Sequence, residues 1–265
     1  QKGEIQISNV DHITLSFNPK ANLNQKLLFT LKNRPSLKSL LDRLGKQSKS
    51  NRITNRLAEA CQCQPEDISA EIHLLEHHTT HLASTFFVSP FGQAAILSVD
   101  GMGDFVSTFL ATGRDNQLQY LSRIYYPHSL GFLYNAITLY LGFPDYGDEY
   151  KVMGLAPYGE PEYLEAFRRI IYPKGDGFEL NLDYFTHHKQ GITMKWDGGA
   201  PTVEAFHSEE LEKLLGAART PKSEITQRHQ NIAASLQAVS EEIIFHLLQR
   251  LYEKFPIDNL CLAGG

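Results

Sequence analysis

The sequence predicts an α/β fold. Three features carry that expectation: three apolar, strand-like runs separated by short turn sequences over 94–126, helical periodicity after them, and a last strand-like run at 257–262. In chain order, His12-Ile13-Thr14-Leu15-Ser16-Phe17 alternates polar and apolar and reads as a strand. Residues 18–50 are polar, with a helix expected at 36–44, and another helix is expected at 53–60. Gln64-Pro65-Glu66-Asp67 has the composition of a turn and helix start. Ile72-His73-Leu74-Leu75 reads as a short strand feeding a helix at 77–87. The runs 94–99, 105–112 and 118–126 are joined by Gly101-Met102-Gly103 and by Gly113-Arg114-Asp115-Asn116. Turns that short predict an antiparallel meander, backed by the 77–87 helix.

Helices are expected at 129–141 and 161–171. Residues 172–207 are rich in Gly, Asp and His with weak periodicity, so they read as an insertion or flap outside the core, with His187, His188 and His207 facing solvent. A long amphipathic helix is expected at 224–253, because Ile232, Leu236, Val239, Ile243, Leu247, Leu248 and Leu251 fall at helical spacing; Pro256 ends it. Three antiparallel strands, then helices, then another strand is the order of a ribonuclease-H-like unit.

Composition narrows the function classes. The 265 residues are 42% hydrophobic and 21% charged, enough for a packed core in one large or two modest domains. With a net charge of −5 and no run of Lys or Arg, no nucleic-acid groove is expected. Three cysteines are too few for a disulfide scaffold, and Cys61-Gln62-Cys63 lacks the second pair of a zinc knuckle. A reducing cytoplasm is therefore expected. No apolar run approaches the roughly 18–20 residues of a membrane span, and no secretory leader is visible. The chain starts without Met and stops at Leu262-Ala263-Gly264-Gly265 directly after a strand-like run, so it reads as a fragment of a longer protein.

The densest chemistry lies in Glu76-His77-His78-Thr79-Thr80-His81 and Asp100-Gly101-Met102-Gly103-Asp104. His77 and His81 are four residues apart, so on a helix both imidazoles share one face and can share a metal ion. His78 points about 100° away and is expected to be structural or to face substrate. The 94–99 strand delivers Asp100, a hard oxygen ligand, to its carboxyl end. Gly101 and Gly103 permit a turn whose N–H groups approach a phosphate. Two imidazoles and a carboxylate suit iron, zinc or manganese. A metalloprotease would need a glutamate immediately after the first histidine, and His78 stands there.

Four segments resemble the O-carbamoyltransferases that include nodulation-factor and antibiotic-tailoring enzymes. They are residues 76–84, residues 89–104, Gly147-Asp148-Glu149-Tyr150-Lys151-Val152-Met153-Gly154-Leu155-Ala156-Pro157-Tyr158-Gly159, and Leu260-Cys261-Leu262-Ala263-Gly264-Gly265. The third is the most specific. The resemblance implies a partial actin/hexokinase-like (ribonuclease-H-like) ATPase domain, similar to the tRNA threonylcarbamoyladenosine enzymes. It implies a divalent metal, iron foremost, held by His77, His81 and Asp100 against ATP. Gly101, Gly103, Glu149, Lys151, Gly264 and Gly265 would then serve the nucleotide, and Lys151 would also act in catalysis by meeting phosphate oxygens. The implied reaction makes carbamoyladenylate from carbamoyl phosphate and ATP, then passes the carbamoyl group to a hydroxyl of a small molecule. On this resemblance residues 1–265 are part of the N-terminal domain, and a C-terminal catalytic domain lies beyond. The rival expectation is a nucleotide-binding, non-catalytic module on the same fold.

Overall fold

A computed structural model describes residues 6–33, 50–196 and 199–265; the helix expected at 36–44 lies outside the described residues. Strands β1 (His12–Leu15) and β2 (Glu71–Leu74) pair in parallel, His12 opposite Glu71 and Thr14 opposite His73. Helices α1 (Leu23–Asn33) and α2 (Ser50–Cys61) lie between them in the chain. Two residues after β2, Glu76 opens helix α3 (His77–Phe86) by accepting the N–H groups of His78 and Thr79, orphan donors at a helix start.

The meander forms as expected: β3 (Gln93–Gly103), β4 (Val106–Arg114) and β5 (Gln117–Tyr125) pair antiparallel in sequence order. The second turn falls inside the expected segment 113–116, and the first falls elsewhere. Gly101, Met102 and Gly103 belong to β3, with a register irregularity between Val99 and Gly103, and the reversal is made by Asp104 and Phe105 at positive φ. A two-residue hairpin of this kind favours Asn, Asp or Gly, so Phe105 is an uncommon choice. Its ring is buried against Phe29 and Tyr126, which offsets the backbone cost. The second reversal is likewise two residues, Asp115 and Asn116, between paired Arg114 and Gln117.

After the meander come α4 (Leu130–Tyr140), α5 (Glu149–Leu155) and α6 (Leu164–Ile170), then the hairpin β6 (Ile171–Lys174) and β7 (Gly177–Leu180). A short helix α7 (His187–Gln190), the small pair β8 (Met194–Lys195) and β9 (Thr202–Val203), and α8 (Glu209–Leu215) follow. The long helix α9 (Gln227–Lys254) leads to β10 (Leu260–Ala263), which lies parallel beside β3, giving the sheet order β10-β3-β4-β5.

Alternation along β3 sorts its side chains. Ala94 and Ile96 join Leu82 and Phe86 of α3, with Phe109, Ala111 and Cys261, on one face. Ala95, Leu97 and Val99 pack on the other face with Leu133 and Ile137 of α4 and with Ile232, Leu236 and Val239 of α9. The result is a helix–sheet–helix sandwich in a mixed α/β fold. Among the described residues no helix is long and apolar enough to cross a membrane.

The expectation that 172–207 stands outside the core is overturned. Phe178, Leu180, Tyr184, Phe185, Val203 and Phe206 are buried in the main cluster. His187 and His188 are buried too, and the His207 side chain is only 10% exposed. The segment is built of elements too short to display a period, so its core residues leave no pattern in the sequence. His187 sits among Phe132, Phe185 and Phe206, with Nε2 placed 2.9 Å from the Pro127 carbonyl, which accepts its hydrogen bond.

Candidate metal centre at the end of the central strand

The alternation that buries Ala94 and Ile96 under α3 continues through Ser98 to Asp100. His78 is fully buried one step back: Nδ1 meets Ser98 Oγ at 2.9 Å and Nε2 meets the Val106 carbonyl at 3.0 Å. Its role is structural, and burial pushes its pKa down to about 4. The adjacent residue on each turn, His77 and His81, reaches past the end of the packed stripe to Asp100. His77 Nε2 lies 2.8 Å from Asp100 Oδ2 and 3.0 Å from His81 Nε2, and His81 Nε2 lies 3.5 Å from the same oxygen.

Those three edges fit one ion. The triangle is small enough that an ion about 2.1 Å from each atom would sit about 1 Å above its plane, leaving the far side open. The protonation pattern points the same way. His77 Nδ1 faces the Ser16 carbonyl at 3.3 Å, and a carbonyl only accepts, so that nitrogen carries the hydrogen. In a neutral ring Nε2 is then a lone pair aimed at a carboxylate oxygen. The contact is attractive only with positive charge between or on them. The hydrogen bond with Asp100 accordingly raises the His77 pKa against the effect of burial, and His77 holds Asp100 down to about 2.

Supporting contacts orient these candidate ligands, as is usual around a metal. Asp104, quoted in the motif but given no role from sequence, accepts the backbone N–H of His77 at 3.0 Å and of Asn18 at 2.7 Å through one oxygen. The hairpin turn is thereby tied to the start of α3. Gly103 makes room for His77: a Cβ there would fall 2.0 Å from Cγ and Cδ2 of its ring. Neither the Ser16 carbonyl nor this close approach leaves a sequence signature, since each joins residues far apart in the chain.

Comparison with known proteins gives the chain its family. The model for the N-terminus of carbamoyltransferases matches residues 2–265. The chain belongs to the carbamoyltransferase N-terminal family. It is 42% identical over 216 residues to an uncharacterized protein of Synechocystis, covering 80% of this chain and 33% of that protein. It is 37% identical over 200 residues to nodulation protein NolNO of Sinorhizobium fredii, covering 74% of this chain and 26% of that protein. Nodulation protein NolO of Bradyrhizobium diazoefficiens is 35% identical over 192 residues, covering 72% of this chain and 31% of that protein. The chain thus spans about a third or less of the length of these relatives.

In this carbamoyltransferase N-terminal chain the remaining expected residues divide into two groups. Gly101, Gly264 and Gly265 lie at Asp100. The Gly101 N–H donates to Asp100 Oδ1 at 2.6 Å, so as placed it serves the carboxylate. Gly264 has φ +128°, and a Cβ would fall 1.6 Å from the Val99 carbonyl oxygen, so only glycine fits between β10 and β3. A Cβ on Gly265 would come 3.7 Å from Asp100 Oδ1, which places the chain beside the carboxylate. The start of α4 docks here as well: Ser129 Oγ donates to the Gly101 carbonyl at 2.6 Å, and Gly131 lets the two backbones touch.

Glu149 and Lys151 form the second group, on α5. Asn135, one turn along α4 from Gly131, donates to Glu149 at 2.5 Å. Lys151 Nζ is paired with Asp148 at 2.7 Å, which raises its pKa. Asp148 is buried, and its Oδ2 has no hydrogen-bond partner among the described residues. Lys151 stands between exposed Tyr150 and buried Val152, and a carboxylate anchors its ammonium. A side chain's neighbours in sequence do not decide its surroundings on a short surface helix.

Proposed function

We propose that this chain is the metal- and nucleotide-binding part of an ATP-dependent O-carbamoyltransferase on an actin/hexokinase-like, ribonuclease-H-like scaffold. The observation that carries the reading is the His77–His81–Asp100 triangle, which leaves one side of an ion open, at a strand end lined by Gly101, Gly264 and Gly265. Two imidazoles and one carboxylate with open positions suit ferrous iron. Bound there, the ion would neutralise phosphate charge.

The chain's own residues supply orientation. The Ser16 carbonyl and Asp104 hold His77 in place, and Gly264 keeps the last strand close against Val99. Lys151, steered by Asp148, offers its two remaining N–H donors to phosphate oxygens, and Glu149 offers a carboxylate to a ribose hydroxyl. The substrates are carbamoyl phosphate, ATP and a hydroxylated small molecule; water releases phosphate from carbamoyl phosphate, the carbamate displaces pyrophosphate from ATP to give carbamoyladenylate, and AMP leaves as the hydroxyl loses its proton and takes the carbamoyl group. A further catalytic domain of the same protein completes the reaction. The setting is the reducing cytoplasm, in keeping with free Cys61, Cys63 and Cys261.

The test is mass-spectrometric detection of carbamoyladenylate by the full-length protein given carbamoyl phosphate and ATP. The adduct should form only with both substrates and vanish in His81→Ala. ATP binding without any adduct would instead assign a non-catalytic nucleotide module.

A further inference from the structure

We propose that His12, Glu71 and His73 form a second metal site, which takes a borderline divalent ion such as Zn2+ and clips β1 to β2. The strand register builds it. His12 pairs with Glu71 across the parallel ladder, and His73 stands two residues beyond Glu71, so the three side chains share one face. His12 Nδ1 lies 3.0 Å from His73 Nε2 and 3.8 Å from Glu71 Oε2, and His73 Nε2 lies 3.9 Å from the same oxygen. The point equidistant from these atoms is about 2.1 Å from each, the length of a Zn–N or Zn–O bond. The ion would lie in the plane of its three donors, unlike the ion on the open-sided triangle at Asp100, and solvent would complete its coordination.

The site is exposed, so the ion is exchangeable, and it stands where the fold gains from a clip. Four paired residues in an isolated parallel ribbon are weak, and the ribbon joins His12 and His73 across a sequence separation of 61. Binding to donors brought together only by folding adds its free energy to the paired state. The same two strands run on to the first centre: Ser16 follows β1 and His77 follows β2. Four residues of strand separate His12 from Ser16, about 13 Å, so the two ions are distinct while the clip keeps the Ser16 carbonyl in line with His77. The proposal does not depend on the carbamoyl reading.

The experiment uses the full-length protein, stripped with a chelator, dialysed against Zn2+ and measured for bound zinc per chain. His12→Ala and His73→Ala should each bind one equivalent fewer than wild type, His81→Ala one fewer, and His73→Ala/His81→Ala two fewer. Zinc should raise the melting temperature of His81→Ala, and that increase should be lost in the double variant. Glu71→Gln, which keeps size and polarity, should weaken the same equivalent and covers the case in which a histidine variant fails to fold. Zinc content unchanged in folded His12→Ala, His73→Ala and Glu71→Gln would overturn the proposal, leaving the two imidazoles as a hydrogen-bonded pair.

Discussion

Gly103→Ala should abolish metal binding at the proposed centre of His77, His81 and Asp100 while leaving the protein folded. Carbon atoms pack at about 3.5–4.0 Å, and the new methyl would fall 2.0 Å from two atoms of the His77 ring. The ring must retreat by about 1.5 Å. A ligand bond of about 2.1 Å does not survive that, so His77 Nε2 leaves the coordination sphere. Altered outer contacts alone cost a metal site about 10–100-fold in affinity, and loss of a ligand should cost at least the upper end of that range. The added methyl is an overpacking change of about 1–3 kcal/mol against a total stability of about 5–15 kcal/mol, so the fold persists. The φ of Gly103 lies outside the left-handed region, so backbone strain does not confuse the result. Zinc titration against a chromophoric chelator, done in a His73→Ala background, reads the centre alone. Gly92→Ala is the control, because a Cβ there meets nothing within 4 Å. Wild-type affinity in folded Gly103→Ala would refute the argument that this close approach positions His77.

Lys151→Ala, made with Asp148→Asn so that no buried carboxylate is left unpaired, should lower carbamoyl transfer by the full-length protein roughly ten- to a hundredfold relative to Asp148→Asn alone. Equal kinetics at limiting and saturating ATP and carbamoyl phosphate would reduce Lys151 to a partner of Asp148. His187 should make the fold acid-sensitive. Burial, with smaller effects from His188 and His128, lowers its pKa to about 4, against a raising contribution from the Pro127 carbonyl. The unfolded chain then binds the extra proton first, so stability is complete above about pH 6.5 and falls by about 3 kcal/mol as pH drops to about 4. Urea unfolding across that window should show a shallower fall in His187→Phe, and identical slopes would contradict the assignment. Leu82→Ala, at a fully buried position between α3 and the sheet, should cost about 2–5 kcal/mol in the same assay. A cost below 1 kcal/mol would mean that α3 is not held by that face.

Local order was legible in the sequence where the pattern repeats within a few residues. The apolar runs of the meander, the four-residue spacing of His77 and His81, and the period of the long helix each depend on neighbours along the chain, and the structure has these elements. The strand period also put Asp100 on the α3 side of β3, just past the end of its regular ladder at Val99. The packed roles of single residues came only with the tertiary fold. Gly103 read as a turn glycine because glycine permits turns, yet it lies in the strand to accommodate His77. Residues 172–207 read as a flap because their elements are short, yet they fill the core. Lys151 read as free to meet phosphate oxygens, yet Asp148 already holds its ammonium. Periodicity is a property of consecutive residues, so the sequence by itself determined the meander, the histidine helix, the long helix and the family segments. Which distant groups meet, such as Ser16 with His77, Asp104 with Asn18, and His12 with His73, depends on contacts between segments, and only the tertiary structure decided them.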